Sequence, residues 1–501
     1  MTDNRTITVD GSYTHELSIP SSWHFAQLNE VIDIVGGNQP PKTFFSDQPG
    51  PDKIRLIQIR DYKSDQNIVY IPKDKAKRFV STTDVMIGRY GPPIFQILRG
   101  LEGAYNVALM KAVPKMGVFD NEYLFHYLKN RDIYNYVNAA SDRTAGQSGV
   151  NKAHLEKYPV GLPPLAEQKV IAKKLDKLLA KVDSIKTRLD AVPDTLKRFR
   201  QSVLAAAVSG KLTEEWREKF KPAIVDIASI SEEQFSSGLT MGNFGKKKDR
   251  SPDIADEESR KFVSHIAGWP SIRLGALCEC VVPNRDKPKS FSGGYHWLLT
   301  PNFDEQSIWI DYKEIENGLS EDEVITYRAK IIEPGNVIMT CVGRVGLSAV
   351  LEESSVINQQ LHAFKVNKHI KAEYLAYCVR ANVEYYEDKA TSTTVKYLNK
   401  TACNSLPIPL PTIEEQTEIV RRVEKLFAYA DKVEAEVNAA QERVNKLTQS
   451  ILAKAFRGEL TAKWREQNPE LISGENSAEA LLEKIKTERE KLKPIKKRKA
   501  K

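Results

Sequence analysis

The sequence predicts an α+β protein in which two globular domains are joined by two long antiparallel helices. The helices are expected to form an intramolecular coiled coil, so that the whole chain is duplicated about a pseudo-two-fold axis. Three observations lead to this prediction. A segment of 60 residues occurs twice, both copies carry a heptad pattern of apolar residues, and the remaining sequence contains short strand-like and helix-like segments.

The repeated segment occupies residues 159–218 and 407–466. The two copies align without a gap, since 416 − 168 and 464 − 216 both equal 248. Of the 60 aligned pairs, 22 are identical, which is far more than unrelated sequences share by chance. A period this long does not suit a solenoid. It indicates that half of the protein was duplicated and that the two halves face two similar targets.

Apolar residues recur in each copy at alternating steps of four and three, from Ile171 to Val203 and from Ile419 to Ile451. This spacing predicts a long helix with a coiled-coil seam. At about 1.5 Å per residue, the first seam would span roughly 50 Å. Pro193 should kink the first helix, whereas Gln441 occupies the matching position in the second.

Each seam could pair with a second copy of the chain or with the other seam of the same chain. Two seams in one chain make the intramolecular pairing the more economical interpretation. The pairing should be antiparallel, because a connection across a whole domain brings the chain back.

The sequence between the repeats divides into domains by composition. The region after the first repeat is rich in Ser, Gly, Lys, Asp and Glu, which indicates a linker. The entries to the two globular domains resemble each other, since Trp23 and Trp269 are each followed by Leu five residues later. The predicted parts are a first globular domain (1–158), a first repeated helix (159–218), a linker (219–266), a second globular domain (267–406), a second repeated helix (407–466), and a C-terminal helix with a basic tail (467–501).

Short apolar runs predict strands in both globular domains, and longer periodic runs predict helices. A polar loop follows in each domain, at 141–150 and 391–395. The predicted strands are 54–59, 67–71, 84–88, 104–110, 336–340 and 356–366, and the predicted helices are 121–130, 372–379 and 478–492.

The composition is that of a soluble globular protein, with 501 residues of which 41% are hydrophobic and 28% are charged. There is no run of 18 apolar residues and no apolar core of a signal peptide, and five scattered cysteines suit a reducing cytoplasm. The net charge of +8 resides in residues 484–501, which hold ten Lys or Arg and two acids. Such a tail is expected to be solvated and to add at most nonspecific attraction to phosphates.

The sequence predicts no catalytic residue and no metal site. Gly210–Thr213 resembles part of a phosphate-binding loop, but Leu212 replaces the required Ser or Thr, and Glu459 replaces the lysine in the second copy. Cys278 and Cys280 lack a second pair or a nearby His at zinc spacing. The eight histidines form no local constellation. The residues therefore give no argument for an active site, and a catalytic set assembled only by the fold stays open at this point.

The repeated helices resemble those of the specificity (S) subunits of type I restriction–modification enzymes, especially the enterobacterial IA group. The likeness is strong over 159–218 and 407–490, and weakest in the globular domains, which vary in that family. The residues that carry it are the proline-rich starts ending in Glu-Gln (Leu162–Gln168, Leu410–Gln416), the run Leu426–Asp431, and the Gly-x-Leu-Thr-x-x-Trp-Arg endings (Gly210–Arg217, Gly458–Arg465).

The resemblance implies a non-catalytic DNA-recognition subunit in which each globular domain reads one half of a bipartite, asymmetric DNA site in the major groove. The helices would set the spacing and dock two methyltransferase (M) subunits, which restriction (R) subunits join. The M subunits would use S-adenosylmethionine to methylate adenine, and the R subunits would use ATP and Mg, so that this chain binds no cofactor itself.

Base edges are read by polar or basic side chains on exposed loops. For partner binding, the resemblance indicates Gln168, Trp216, Arg217, Gln416, Trp464 and Arg465. The candidate DNA-binding residues are Arg89, Tyr90, Gln96, Arg143, Gln147, Ser148 and Asn151 in the first domain, and Arg285, Lys287, Arg344, Gln359, Thr393, Thr394, Lys396 and Tyr397 in the second.

Two other classes of function stay open from the sequence. One is a non-catalytic coiled-coil scaffold that binds other protein partners, and a DNA-binding assay with M subunits would distinguish it. The other is a single-chain nuclease or methyltransferase, whose motifs are missing from this sequence.

Overall fold

The computed structural model describes residues 2–9, 13–139, 142–144, 147–236, 268–284, 287–391 and 395–492. The chain forms two compact units. The first unit contains residues 1–190 and 439–501, and the second contains residues 191–438. Each unit therefore combines one globular domain with parts of both repeated helices.

The strands of the first unit are β1 Thr2–Val9, β2 Tyr13–Pro20, β3 His24–Gln27, β4 Ile32–Gly36, β5 Lys53–Ile57, β6 Tyr70–Pro72, β7 Phe79–Val80, β8 Val85–Gly88, β9 Gln96–Leu98, β10 Gly103–Tyr105, β11 Leu109–Pro114, β12 Asp142–Thr144, β13 Gln147–Gly149 and β14 Pro159–Leu162. One antiparallel sheet has the order β4-β11-β8-β9. A second sheet has the order β6-β5-β10-β7, in which β5 and β10 are parallel. The pair β3 and β14 joins the entry of the domain to its exit.

The strands of the second unit are β15 Ser271–Arg273, β16 Glu279–Val281, β17 Tyr295–Leu298, β18 Gly318–Leu319, β19 Ile331–Ile332, β20 Val337–Thr340, β21 Ser348–Val350, β22 Ser355–Ile357, β23 Leu361–Lys365 and β24 Pro407–Pro409. Its antiparallel sheet has the order β16-β23-β20-β21. The other sheet, β18-β17-β22-β19, contains the parallel pair β17 and β22. The two domains thus share one topology, which confirms the duplication.

The helices are α1 Leu28–Val31, α2 Asn121–Leu128, α3 Arg131–Ala139, α4 Lys152–Leu155, α5 Leu165–Asp190, α6 Val192–Val208, α7 Glu214–Phe220, α8 Ile227–Ser236, α9 Leu274–Leu277, α10 Glu321–Thr326, α11 Ala372–Ala381, α12 Val383–Lys389, α13 Lys400–Asn404, α14 Ile413–Phe456, α15 Ala462–Gln467 and α16 Ala478–Leu492. The helix predicted at 478–492 is therefore confirmed. The linker prediction is wrong over α8, where Ile230 is buried in the core of the second unit. Residues 237–267 lie outside the described residues.

Two predicted strands are each divided into two by a turn. The predicted strand 104–110 becomes β10 and β11, and 356–366 becomes β22 and β23. In each case an asparagine forms the turn: the Asn106 side chain accepts a hydrogen bond from the N–H of Ala108, and the Asn358 side chain accepts one from the N–H of Gln360. These asparagines occupy matching positions, since 340 − 88 and 358 − 106 both equal 252, and each turn sends the chain from one sheet to the other.

The first repeated helix is broken, as Pro193 predicted, whereas the second is continuous. Helix α5 ends at Asp190 and α6 begins at Val192, with Pro193 in its first turn. A proline lacks the N–H that a helix interior requires, so the break falls just before it. Helix α14 runs through the matching position, Gln441, without interruption.

The two repeated helices pack antiparallel within the chain, as predicted. In the first unit, the start of the first copy shares a core with the end of the second: Ile171, Leu175 and Val182 pack with Ile451, Leu452, Ala455 and Phe456. In the second unit, the relation is reversed, and Val203, Leu204 and Ala207 share a core with Ile419, Val420 and Val423. Start therefore meets end in both units.

Candidate nucleic-acid interface

In the first domain, the chain that leaves β8 meets the hairpin formed by β12 and β13. The N–H of Val150 donates to the carbonyl of Arg89 at 2.9 Å, and Tyr90 forms a β-bridge with Gly149. The Arg89 guanidinium is exposed and lies 5.1 Å from the centre of the Tyr90 ring. Gln96 pairs with Gly88 across β8 and β9. We call these residues and the hairpin 142–149 the first loop cluster.

The other candidates of the first domain fall on or beside this cluster. Arg143 pairs with Ser148, and Gln147 with Thr144, across the β12–β13 hairpin. Asn151 caps the start of α4, because its side-chain oxygen accepts a hydrogen bond from the N–H of His154 at 3.1 Å.

In the second domain, the chain that leaves β20 meets the segment 395–398 in the same way. The N–H of Leu398 donates to the carbonyl of Cys341 at 2.8 Å, the N–H of Gly343 donates to the carbonyl of Lys396 at 2.8 Å, and Tyr397 forms a β-bridge with Val342. Leu398 occupies the position of Val150, since 398 − 150 equals 248. We call residues 341–347 and 395–398 the second loop cluster.

Charged side chains of the second loop cluster are exposed or half-buried and paired with acids. Arg344 is exposed and forms an ion pair with Glu305, and the Lys396 ammonium lies 2.6 Å from a Glu387 carboxylate oxygen. The structure therefore brings together Arg344, Lys396 and Tyr397, three of the residues chosen from the sequence as candidates for DNA contacts.

Of the remaining candidates of the second domain, two are described by the structure and three are not. Gln359 is half-buried in the turn between β22 and β23, and Lys287 is exposed. Arg285, Thr393 and Thr394 lie outside the described residues.

The half-buried Arg380 fixes the loop that carries the partner of Arg344. The Arg380 guanidinium donates to the carbonyls of Asp304, Glu305, Ser307 and Ser348. Burial lowers the pKa of Arg380 to about 10, which still leaves it charged at neutral pH. Hydrogen bonds from the Arg380 side chain to main-chain carbonyls therefore hold the loop 304–307 in place.

A buried carboxylate joins the two repeated helices to the first globular domain. Glu167, at the start of the first copy, accepts a hydrogen bond from the Trp23 indole at 2.9 Å. It also accepts hydrogen bonds from the Thr461 hydroxyl and the Arg465 guanidinium, each at 2.6 Å, at the end of the second copy. Glu167 and Thr461 are completely buried. We call this arrangement the first junction.

The second unit contains the same arrangement with the copies exchanged. Glu415, at the start of the second copy, accepts from the Trp269 indole at 3.1 Å. The Thr213 hydroxyl and the Arg217 guanidinium, at the end of the first copy, donate to it at 2.7 and 2.6 Å. The Arg217 guanidinium also lies 5.2 Å from the Trp269 ring centre. This is the second junction.

The junctions were missed from the sequence, although their members recur as Trp23 and Trp269, Glu167 and Glu415, Thr213 and Thr461, and Arg217 and Arg465. All except the tryptophans are separated by 248 residues. Both copies have a Glu at the start and a Thr and an Arg at the end. This pattern indicates that the Glu of each copy pairs with the Thr and Arg of the other, as antiparallel helices allow.

The junctions change the interpretation of the predicted partner-binding residues. Gln168 and Gln416 are completely buried. The Gln168 amide donates to the carbonyls of Pro163 and Val118. The Gln416 amide donates to the carbonyls of Pro411 and His369. They hold their own domains together and leave no surface for a partner. Arg217 and Arg465 bind the junction carboxylates, whereas Trp216 and Trp464 are half-buried at the surface. Among the described residues, no helix is long and apolar enough to cross a membrane.

Two segments, residues 20–194 and 267–442, match the type I restriction modification DNA specificity domain. Together they cover more than half of the chain, which therefore belongs to this family of type I restriction–modification specificity subunits. Within the family it is 34% identical to the EcoBI specificity subunit of Escherichia coli, over 94% of both chains. It is 32% identical to the EcoKI specificity subunit of E. coli K12 and 33% identical to the StySPI specificity subunit of Salmonella potsdam, each over 94% of this chain and 96% of the relative. The predicted resemblance to enterobacterial specificity subunits is confirmed.

Solved structures share the fold. A chain from a type I R-M system has a TM-score of 0.62 at 17% identity, covering 88% of this chain and 99% of that one. The HsdS subunit from Thermoanaerobacter tengcongensis has a TM-score of 0.53 at 19% identity, covering 88% and 98%. At these identities the likeness is one of fold.

Proposed function

We propose that each globular domain binds one half of a bipartite, asymmetric DNA site in the major groove, through its loop cluster. The observation that carries this proposal is the equivalence of the two clusters. The N–H of Val150 donates to the carbonyl of Arg89, and the N–H of Leu398 donates to the carbonyl of Cys341. The same backbone hydrogen bond therefore positions a different loop in each domain. A common scaffold with different loop side chains suits the recognition of two different half-sites.

The side chains of both clusters have the chemistry of base recognition. Arginine can donate two hydrogen bonds to the acceptors at the guanine edge, and lysine can bind phosphate or guanine. Arg89 is exposed, and within the described ranges Arg344 forms a surface ion pair, which contributes about 1 kcal/mol or less and can be exchanged for a DNA contact. Both arginines are therefore available to a duplex.

The repeated helices are proposed to fix the separation of the half-sites and to dock two M subunits. Each buried junction ties a globular domain to both helices, so the position of each domain is defined by the helix pair. Recognition helices and loops in neighbouring major-groove patches lie about one turn of DNA apart, some 34 Å. A rigid connection between the two units would fix the number of intervening base pairs and leave their identity free.

The chain is proposed to be non-catalytic, with M subunits that carry S-adenosylmethionine methylating adenine at N6, and R subunits that use ATP and Mg. Its relatives are named as specificity subunits of type I restriction enzymes, and a structural neighbour belongs to a type I R-M system. These names support an assembly in which sequence recognition and chemistry reside on different chains.

The loop assignment is tested with the chain assembled with its M subunits on DNA that carries the methylated sequence. Arg89→Ala and Arg344→Ala should each weaken specific binding by about 10- to 100-fold, because a bidentate contact to a base contributes roughly 1–3 kcal/mol of discrimination. Lys63→Ala and Lys313→Ala, at exposed sites in the same domains, are the matched controls.

Each arginine variant should lose discrimination in one half-site only. A phosphate contact would instead lower the slope of affinity against salt by about one and weaken all sequences alike. Unchanged affinity and salt slope in both variants would show that the loop assignment is wrong. Equal binding to scrambled DNA by the unmodified complex would favour a protein scaffold.

A further inference from the structure

Three ligating side chains converge in the core of the second domain. The sulfurs of Cys341 and Cys403 lie 3.5 Å apart, and a ring nitrogen of His362 lies within 4.8 Å of both. Cys341 follows β20, His362 lies on β23 and Cys403 lies on α13. The fold therefore assembles this group from three distant parts of the sequence.

All three side chains are withdrawn from solvent, and one ring nitrogen of the histidine lacks a partner. Cys341 and Cys403 have no exposed surface, and His362 is 3% exposed. Within the described part of the chain, His362 Nδ1 makes no hydrogen bond. A buried polar atom without a partner costs about 1–3 kcal/mol, so the site favours a ligand that engages the imidazole.

We propose that Cys341, His362 and Cys403 bind a divalent zinc ion. Two thiolates and an imidazole are a typical zinc ligand set. With a Zn–S bond of about 2.3 Å and tetrahedral angles, two bound sulfurs lie about 3.8 Å apart, which is close to the 3.5 Å observed here. A disulfide would use the two cysteines alone and would leave the histidine without a role.

The duplication shows that the fold itself does not require this group. The positions that match Cys341, His362 and Cys403 in the first domain are Arg89, Met110 and Leu155, because 341 − 89 and 362 − 110 equal 252 and 403 − 155 equals 248. Met110 and Leu155 pack there as ordinary apolar core residues. The second domain therefore has three possible zinc ligands at positions where the first domain has residues that do not bind zinc.

The proposed ion would stabilise the second loop cluster. Cys341 begins the segment 341–347, and its carbonyl accepts the N–H of Leu398 from the other segment. Cys403 lies five residues beyond Leu398, on α13, since 403 − 398 equals 5. A metal shared by Cys341 and Cys403 would therefore fasten both segments of the cluster to β23 through His362.

The test measures metal in the untagged full-length chain, purified in reducing buffer without chelators. Elemental analysis should find one zinc per chain. Cobalt exchanged into the site should give the absorption of thiolate-to-cobalt charge transfer. Cys403→Ala and His362→Gln should each lose the zinc, whereas Cys378→Ala, which removes a buried thiol of α11 outside the cluster, should retain it.

The cobalt spectrum of the unmodified chain tests the proposal even where a variant fails to fold. Wild-type protein without zinc and without a thiolate–cobalt absorption overturns it. Zinc that persists in Cys403→Ala and His362→Gln also overturns it, because the ion must then be bound elsewhere. A Cys341–Cys403 disulfide in metal-free protein overturns it in favour of a redox pair.

Discussion

The substitution Glu167→Gln removes the charge at the first junction and keeps the size of the side chain. The carboxylate has two acceptor oxygens, one bound by Trp23 and the other by Thr461 and Arg465. Glutamine offers one oxygen and one NH₂ group. If the oxygen serves Thr461 and Arg465, the NH₂ group faces the indole N–H of Trp23, and two donors meet without an acceptor.

The expected cost follows from these contacts. A buried donor left without a partner costs about 1–3 kcal/mol. Breaking a buried ion pair by removing one partner costs about 3–5 kcal/mol, and the Arg465 side chain here keeps 15% of its surface exposed, which reduces this cost. We expect Glu167→Gln to destabilise the first unit by about 3 kcal/mol, which is the upper limit for a buried donor without a partner and the lower limit for a broken buried ion pair.

Hydrogen exchange measured by mass spectrometry can locate this loss, because the chain has two units and a single unfolding curve would mix them. Peptides from α5 and from residues 457–467 should exchange faster in Glu167→Gln, while peptides from the second unit should change little. Glu415→Gln should show the reverse pattern, since it removes the charge of the second junction. Glu466→Gln, beside Arg465 but exposed, is the control.

If Glu167→Gln exchanges like Glu466→Gln in these peptides, the Glu167 carboxylate does not stabilise the first unit and the prediction is refuted. It is also refuted if Glu167→Gln loosens both units equally, because the junction would then not be local. Either result would mean that apolar packing of the helices carries the attachment without the buried carboxylate.

Two further predictions concern stability. Hydrogen bonds from Ser290 and from the backbone of Ser320 and Ser292 lower the pKa of Glu323 from 4.5 to about 2. Because the folded-state pKa is depressed, this stabilisation is complete above about pH 4.5 and is lost as the pH falls towards 2, so Glu323→Gln should flatten the acid-unfolding profile in that window, measured by circular dichroism against Glu321→Gln. Gly458→Ala should destabilise the first unit by about 2–5 kcal/mol, measured by hydrogen exchange of first-unit peptides, since its φ is +75° and the added carbon would lie 2.4 Å from Pro20, whereas Gly474→Ala, with φ +57° and open space, should cost about 1 kcal/mol. Equal costs at both glycines, or an unchanged acid profile, would contradict these reasons.

The repeated helices could be predicted from the sequence because their structure is local. The heptad steps and Pro193 act within a few residues, and the structure has the break before Pro193. The gap-free repeat also indicated two equivalent partners within one chain, which the shared cores confirm.

The globular domains were harder to predict because their strands are short and pair over long distances. The apolar run 104–110 has the composition of one strand, yet the Asn106 turn divides it between two sheets. The Asn358 turn does the same in the second domain. Only the pairing partners, which lie dozens of residues away, show where such a run must turn.

The candidate site could also be predicted only in part from the sequence. Arg89, Tyr90, Arg344 and Lys396 were chosen as polar residues near loops, and the structure places them on two equivalent backbone arrangements. The cluster of Cys341, His362 and Cys403 could not be found from spacing, because 21 and 41 residues separate its members, since 362 − 341 equals 21 and 403 − 362 equals 41. Zinc motifs are recognisable in sequence when their ligands lie two to five residues apart in pairs.

The proposed function has two domains of one chain each reading one half of a DNA site at a fixed separation. It is tested most directly by mapping methylated adenines in the genome of cells that express this chain with its M subunits. The map is repeated after residues 267–406 are replaced by the corresponding domain of the EcoKI specificity subunit. We expect a two-part motif with a spacer of constant length, of which the replacement changes one part only. A continuous motif, or a replacement that alters both parts together, would contradict the account.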